Sequence, residues 1–234
     1  MGRAGLVQSR MGGFLANPAV SGRQGLSLWW DQPYGLAELT SKQVVALFPV
    51  QKLDFGASYG QSGDDNYSES RFSTSGSFHI TSDIRAGLSS SLYHLSIGGL
   101  PSGQAGIVNL GVVVSLSSDL SAGAVWNNVL ATKLSNYEDE LPQSLAAGLL
   151  FQADDRTDVA IEIEQQPGWP MEVRAGVNTR LLKALIIRGG TRFNPAEYTA
   201  GFTLRHRVVE LHYALLWHRD LGASHAAGLD VFLR

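Results

Sequence analysis

The ionisable residues of the C-terminal half stand two apart: Glu162 and Glu164, Glu172 and Arg174, Glu210 and His212, with Arg188, Arg192 and Arg205 between them. In an extended chain, residues i and i+2 share a face, so this spacing lines one face of a sheet with charge. Such a face could form a selective polar channel or a ligand pocket. It could equally form a ladder of opposite charges between neighbouring strands, filling the interior and fixing register. The regular spread of both signs over successive segments favours the ladder.

Catalytic and metal chemistry find less support. His206, His212, His218 and His225, with Ser224, offer imidazoles and a hydroxyl. His212 and His218, however, lie six residues apart, roughly 20 Å along a strand, too far to share one ion. The sequence has no nucleophile elbow, no His-Glu-x-x-His helix and no carboxylate-rich calcium loop. Asp64-Asp65-Asn66 reads as a solvated loop tip. The Gly189-Gly190 pair reads as a bend in a strand, because no helix start follows it to cradle phosphate. No catalytic residue, metal ligand or cofactor is assigned, and a non-enzymatic role is expected.

The elements that must carry this charged face are strands. In 208–218, Val209, Leu211, Tyr213, Leu215 and Trp217 alternate with Glu210, His212 and His218. In 158–164, Val159, Ile161 and Ile163 oppose Asp158, Glu162 and Glu164. In 171–178, Met171, Val173, Ala175 and Val177 oppose Glu172, Arg174 and Asn178. Period-2 segments bounded by Gly, Pro, Asn, Asp and Ser are expected at 25–31, 42–50, 53–60, 71–79, 83–97, 106–116, 119–129, 143–153, 157–165, 170–178, 183–192, 197–205, 208–218 and 223–233. The links alternate between long and short, which sends them to opposite rims of an antiparallel meander. Segments of roughly ten residues suit tilted strands crossing a hydrocarbon layer, where closure is obligatory because an open edge leaves backbone groups unpaired in lipid. The expectation is an all-β, closed antiparallel transmembrane barrel of about fourteen strands, with short turns at the periplasmic rim. Trp29, Trp30, Tyr34, Trp169, Phe193, Tyr198 and Trp217 are placed near strand ends, at the membrane interfaces. A soluble two-sheet sandwich is the competing architecture.

Composition agrees with an outer-membrane location. The 234 residues include no cysteine, 26 glycines and 17% charged residues, with a formal net charge of −3 and no basic stripe that would attract nucleic acid. No apolar run approaches the roughly 20 residues of a spanning helix. Residues 1–22 are small and apolar and lack the pattern of a signal peptide, so a removed signal is expected. This segment, with Met11, Gly12, Gly13, Asn17 and Pro18, is the candidate plug or periplasmic cover for a barrel of residues 23–234, since fourteen strands enclose more space than their side chains fill.

Short motifs at both ends carry a resemblance. They are Arg3-Ala4, Met11-Gly-Gly13 and Asn17-Pro-Ala19 near the start, then Leu141-Pro142 with Ala147-Gly148. Arg174-Ala-Gly176, Arg188-Gly-Gly190, Tyr213-Ala214 and Leu221-Gly-Ala-Ser-His225 follow. In this order they resemble the PorV/PorQ family of outer-membrane proteins, themselves similar to FadL-like fatty-acid channels. The opening elements stand closer together here than is usual in that family, and the chain is shorter. The resemblance implies a scaffold or cargo-shuttle component of a type IX-like secretion or cell-surface assembly, embedded in outer-membrane lipid and meeting another secretion or surface protein. Leu130, Tyr137, Leu141 and Trp169 on the long loops are the candidate contacts. A FadL-like transporter of hydrophobic small molecules is the alternative.

Overall fold

The computed structural model describes residues 4–137 and 140–233. Fourteen strands form one closed antiparallel barrel in which each pairs with its neighbours in the chain and β1 closes on β14. They are β1 (Gly25–Gln32), β2 (Ser41–Val50), β3 (Leu53–Gly63), β4 (Tyr67–His79), β5 (Ile84–Ile97), β6 (Gly103–Ser115) and β7 (Leu120–Asn127). β8 (Ser144–Asp154), β9 (Thr157–Gln165), β10 (Glu172–Leu182), β11 (Leu185–Phe193), β12 (Glu197–His206), β13 (Val209–His218) and β14 (Gly222–Phe232) complete the wall. The seam runs from Gly25↔Phe232 to Gln32↔His225 without a shift.

One parity of each strand faces outward and is mainly apolar, with polar residues such as Ser70, Thr74 and Ser90 interspersed on β4 and β5. Leu28, Phe72, Leu92, Leu149, Ile161, Leu211 and Trp217 each leave about half or more of their surface exposed on this outer face. An apolar exterior around a closed sheet is the inverse of a water-soluble barrel and fits a lipid-facing band. Phe48, Phe55, Phe78 and Phe151 lie outward near the short-turn rim, and Trp30, Trp126, Tyr198 and Trp217 near the opposite rim. Aromatic girdles at two heights anchor a barrel in a bilayer.

Three expectations change. Strands β3 and β4 run on to Gly63 and from Tyr67, so the long link expected between 60 and 71 is a turn at 64–66. Asp64 closes it by accepting the backbone N–H groups of Tyr67 and Asn66, both at 2.9 Å, and these bonds hold its carboxyl below the ordinary carboxylate range. Gly189 and Gly190 do not interrupt β11, which pairs regularly with both neighbours at these positions. Finally, Trp29 and Tyr34 are not interfacial anchors. Trp29 faces inward, stacked on His212 at 5.2 Å between centroids, and Tyr34 folds over the mouth, its N–H donating to Ser224 Oγ at 2.9 Å.

The interior is divided lengthwise. Residues 4–22 thread through it and pack against β2, β3 and β5–β9, where the inward positions are unusually small or apolar. Met11 and Phe14 cluster with Val45, Leu47 and Phe232; Leu6 and Val7 cluster with Val125 and Ala146. Glycines make the cradle. A Cβ at Gly87 would stand 2.2 Å from the backbone of Pro18, at Gly111 2.0 Å from Asn17 Oδ1, and at Gly56 2.7 Å from the Phe14 ring. Asn17, with none of its surface exposed, donates from Nδ2 to the carbonyls of Val112 and Ala124 on β6 and β7, while Oδ1 accepts the N–H of Ala19.

Candidate functional site

Opposite the threaded segment, along β1 and β10–β14, the barrel encloses a cavity of about 890 Å³. Its lining reaches from Pro33, Tyr34 and Ser41 at the long-loop rim, past Trp29 and His212, to Asp158, Arg180 and Arg205 at the short-turn rim. Small inward side chains on this wall, at Gly176, Gly190, Gly201, Ala214 and Ala226, leave the space open. The nearer face of the cavity comes from the threaded segment, through Ala4, Gln8, Ser9, Arg10 and Met11.

The charged residues singled out by spacing do share the inner face, but they separate into two groups. Near the long-loop rim, Arg174 pairs with Glu164 and with Glu172 at 2.8 Å. Arg192 pairs with Glu172 at 3.5 Å and with Glu197 at 2.9 Å. This is a cross-strand ladder over β9–β12. Deeper, near the opposite rim, Arg205 Nε donates to Glu210 Oε1 at 2.6 Å. Here Arg188 donates to the Thr203 hydroxyl, which meets His212 Nδ1 at 2.7 Å. His212 Nε2 lies 3.0 Å from Asp230, whose other oxygen accepts from Ser27. Thr203 has none of its surface exposed, so this chain of hydroxyl, imidazole and carboxylate ties β11–β14 to β1 and offers no attacking oxygen to a solute.

Glu162 belongs to neither group. It is buried on β9 and accepts the backbone N–H of Leu6, fastening the threaded segment to the wall. Met11, Gly13, Asn17 and Pro18 are buried in the interior and Gly12 is half-buried beside Val45. Of the loop candidates, Leu130 and Trp169 are 66% and 67% exposed. Tyr137 and Leu141 instead pack inward with Leu134 on Leu95 and Ala105. The 128–143 loop thereby covers the upper inner face of β5 and β6, and Thr132 Oγ1 and the N–H of Ser135 bond the exposed edge of β6 at Gly106 and Gln104.

Glu197, Asp230, Trp29 and Arg10 were not among the sequence candidates. Parity could have found the first three. Glu197 keeps step with Thr199 and Thr203, Asp230 with Ser224, and Trp29 with Ser27 and Asp31, all inward. Arg10 had no such signal, because the threaded segment has no strand period. It packs against Gly5 and is exposed to the cavity. An arginine carries its charge at neutral pH.

Glu210, His212 and Asp230 bring ligand atoms within 4.8 Å of one another. Arg205 already occupies Glu210, so a further cation is opposed there.

No family model matches the sequence, nor does any curated protein sequence. The fold does match solved barrels. The Ralstonia pickettii toluene transporter TbuX superposes with a TM-score of 0.71 at 14% identity, covering 100% of this chain and 99% of that one. The monoaromatic hydrocarbon channel CymD gives 0.71 at 14% identity, covering 100% and 98%. The Pseudomonas putida toluene transporter TodX gives 0.68 at 14% identity, covering 97% and 94%. The chain therefore shares the closed-barrel fold of these solved structures.

Proposed function

We propose that the protein is an outer-membrane channel for small, largely apolar molecules. The observation that carries this reading is the cavity along β1 and β10–β14, lined from one rim to the other and left open beside the threaded segment. A purely structural barrel has no need of such a void. The architectural likeness to channels for toluene and other monoaromatic hydrocarbons supports the same reading, although at 14% identity no binding residue carries over from them. The test is the initial uptake of radiolabelled toluene by cells whose lipopolysaccharide layer excludes it. Expression of this chain raises the uptake rate, and filling the passage with Ala214→Trp, at an inward position that lines the cavity, abolishes the gain while the barrel keeps its heat-shifted mobility. An uptake rate equal to that of cells with an empty vector overturns the channel.

The scaffold role in a type IX-like assembly remains a second proposal. It is supported by the motif resemblance and by Leu130 and Trp169, the exposed apolar tips of the long-loop rim. Cross-linking from these two positions in native membranes captures a secretion or surface component if the scaffold reading holds. Capture of lipid alone counts against it.

A further inference from the structure

Within the passage, Arg10 of the threaded segment and Arg188 of β11 both line the cavity. Among the described residues neither forms an ion pair with a carboxylate, whereas the acids around them are engaged. Glu210 is held by Arg205, Asp230 by Ser27 and His212, and Glu162 by the backbone of Leu6. Two guanidinium groups that face one cavity without a carboxylate partner of their own suit a shared anion, and their forks match the planar geometry of a carboxylate. Aromatic and apolar surface lies in the same cavity: Trp29, Met11 and Phe232, the last with the Arg23 guanidinium 4.0 Å over its ring centroid. Polar side chains, among them Ser41, Gln43, Asp158 and Asn178, share the lining with these apolar ones.

We infer that Arg10 and Arg188 form a carboxylate-binding site inside the passage, and that its ligand class is the small aromatic acids. The inference rests on the channel reading and narrows it from neutral hydrocarbons to their oxidised, anionic relatives.

The experiment is isothermal titration calorimetry of the detergent-purified protein with benzoate, benzyl alcohol and octanoate, alongside toluene uptake by cells expressing the same variants. Benzoate binds saturably with one site per chain, and benzyl alcohol binds at least tenfold more weakly. Arg10→Gln and Arg188→Gln each weaken benzoate at least tenfold. Arg10 lies outside the barrel wall, so Arg10→Gln tests the site even if the β11 variant fails to fold, and Arg10→Lys restores part of the affinity. Absence of saturable benzoate binding, or binding indifferent to Arg10→Gln, overturns the site. Octanoate binding as tightly as benzoate overturns the aromatic assignment. If benzoate fails while toluene uptake persists, only this inference falls; if toluene uptake is also absent, the channel reading falls with it.

Discussion

Arg192 is held by two carboxylates of unequal quality. Glu197 is 2% exposed and lies at 2.9 Å, whereas Glu172 is more open and lies at 3.5 Å. Removing one partner of a buried pair leaves the other charge stranded, whereas replacing both with apolar groups can cost little. Glu197→Ala therefore destabilises the barrel by about 3 kcal/mol, and Arg192→Met with Glu197→Leu recovers most of that loss. Urea titration of the protein folded into lipid vesicles measures both. Arg205 and Glu210 behave more mildly because Arg205 is partly exposed to the cavity, where water screens the pair.

At the scale of elements, strand existence was legible because lipid and interior impose opposite demands on alternate residues. In β9, β10 and β13 the apolar parity is complete, and those strands were placed within two residues at most ends. Strands β3, β4 and β6 were harder to bound. Their inward residues are Ser and Gly, such as Ser58, Ser73 and Gly111, which also populate turns, so β3 and β4 looked shorter than they are. The reason for that composition lies off the strand: these positions are small because Phe14, Asn17 and Pro18 press against them. A period read along one strand contains no trace of a segment packed across it. The converse gives a prediction. Gly87→Val and Gly111→Val, which place bulk where Pro18 and Asn17 sit, displace residues 4–22 without unpairing β5 and β6. Faster protease cleavage of that segment and a higher conductance in planar bilayers, at unchanged heat-shifted mobility, are the expected results. Unaltered cleavage would mean that the cradle is not what holds the segment.

For the whole molecule, the apolar exterior predicts a cost that depends on depth. Leu149 faces outward near the middle of β8, and Leu53 faces outward at the start of β3, beside the short turn. Leu149→Arg lowers stability by about 2–4 kcal/mol, and Leu53→Arg by about 1 kcal/mol or less, because an arginine near the interface reaches water. Equal costs at the two positions, measured by urea titration in vesicles, would contradict the lipid-facing assignment.

The lengthwise division of the interior has a further consequence, for isotope exchange. Each wall strand is paired on both sides, save the first half of β6, whose free edge the 128–143 loop bonds, so amide protons leave chiefly where water can reach a transient opening. On β5–β7 both faces are dry, with lipid outside and the threaded segment inside; on β11–β13 one face borders the cavity. Deuterium uptake divides the barrel into a slow half and a fast half along its axis. Expelling residues 4–22 through Gly87→Val erases the difference, so that a cylinder of near-uniform hydrogen bonding carries two clocks set only by what fills it.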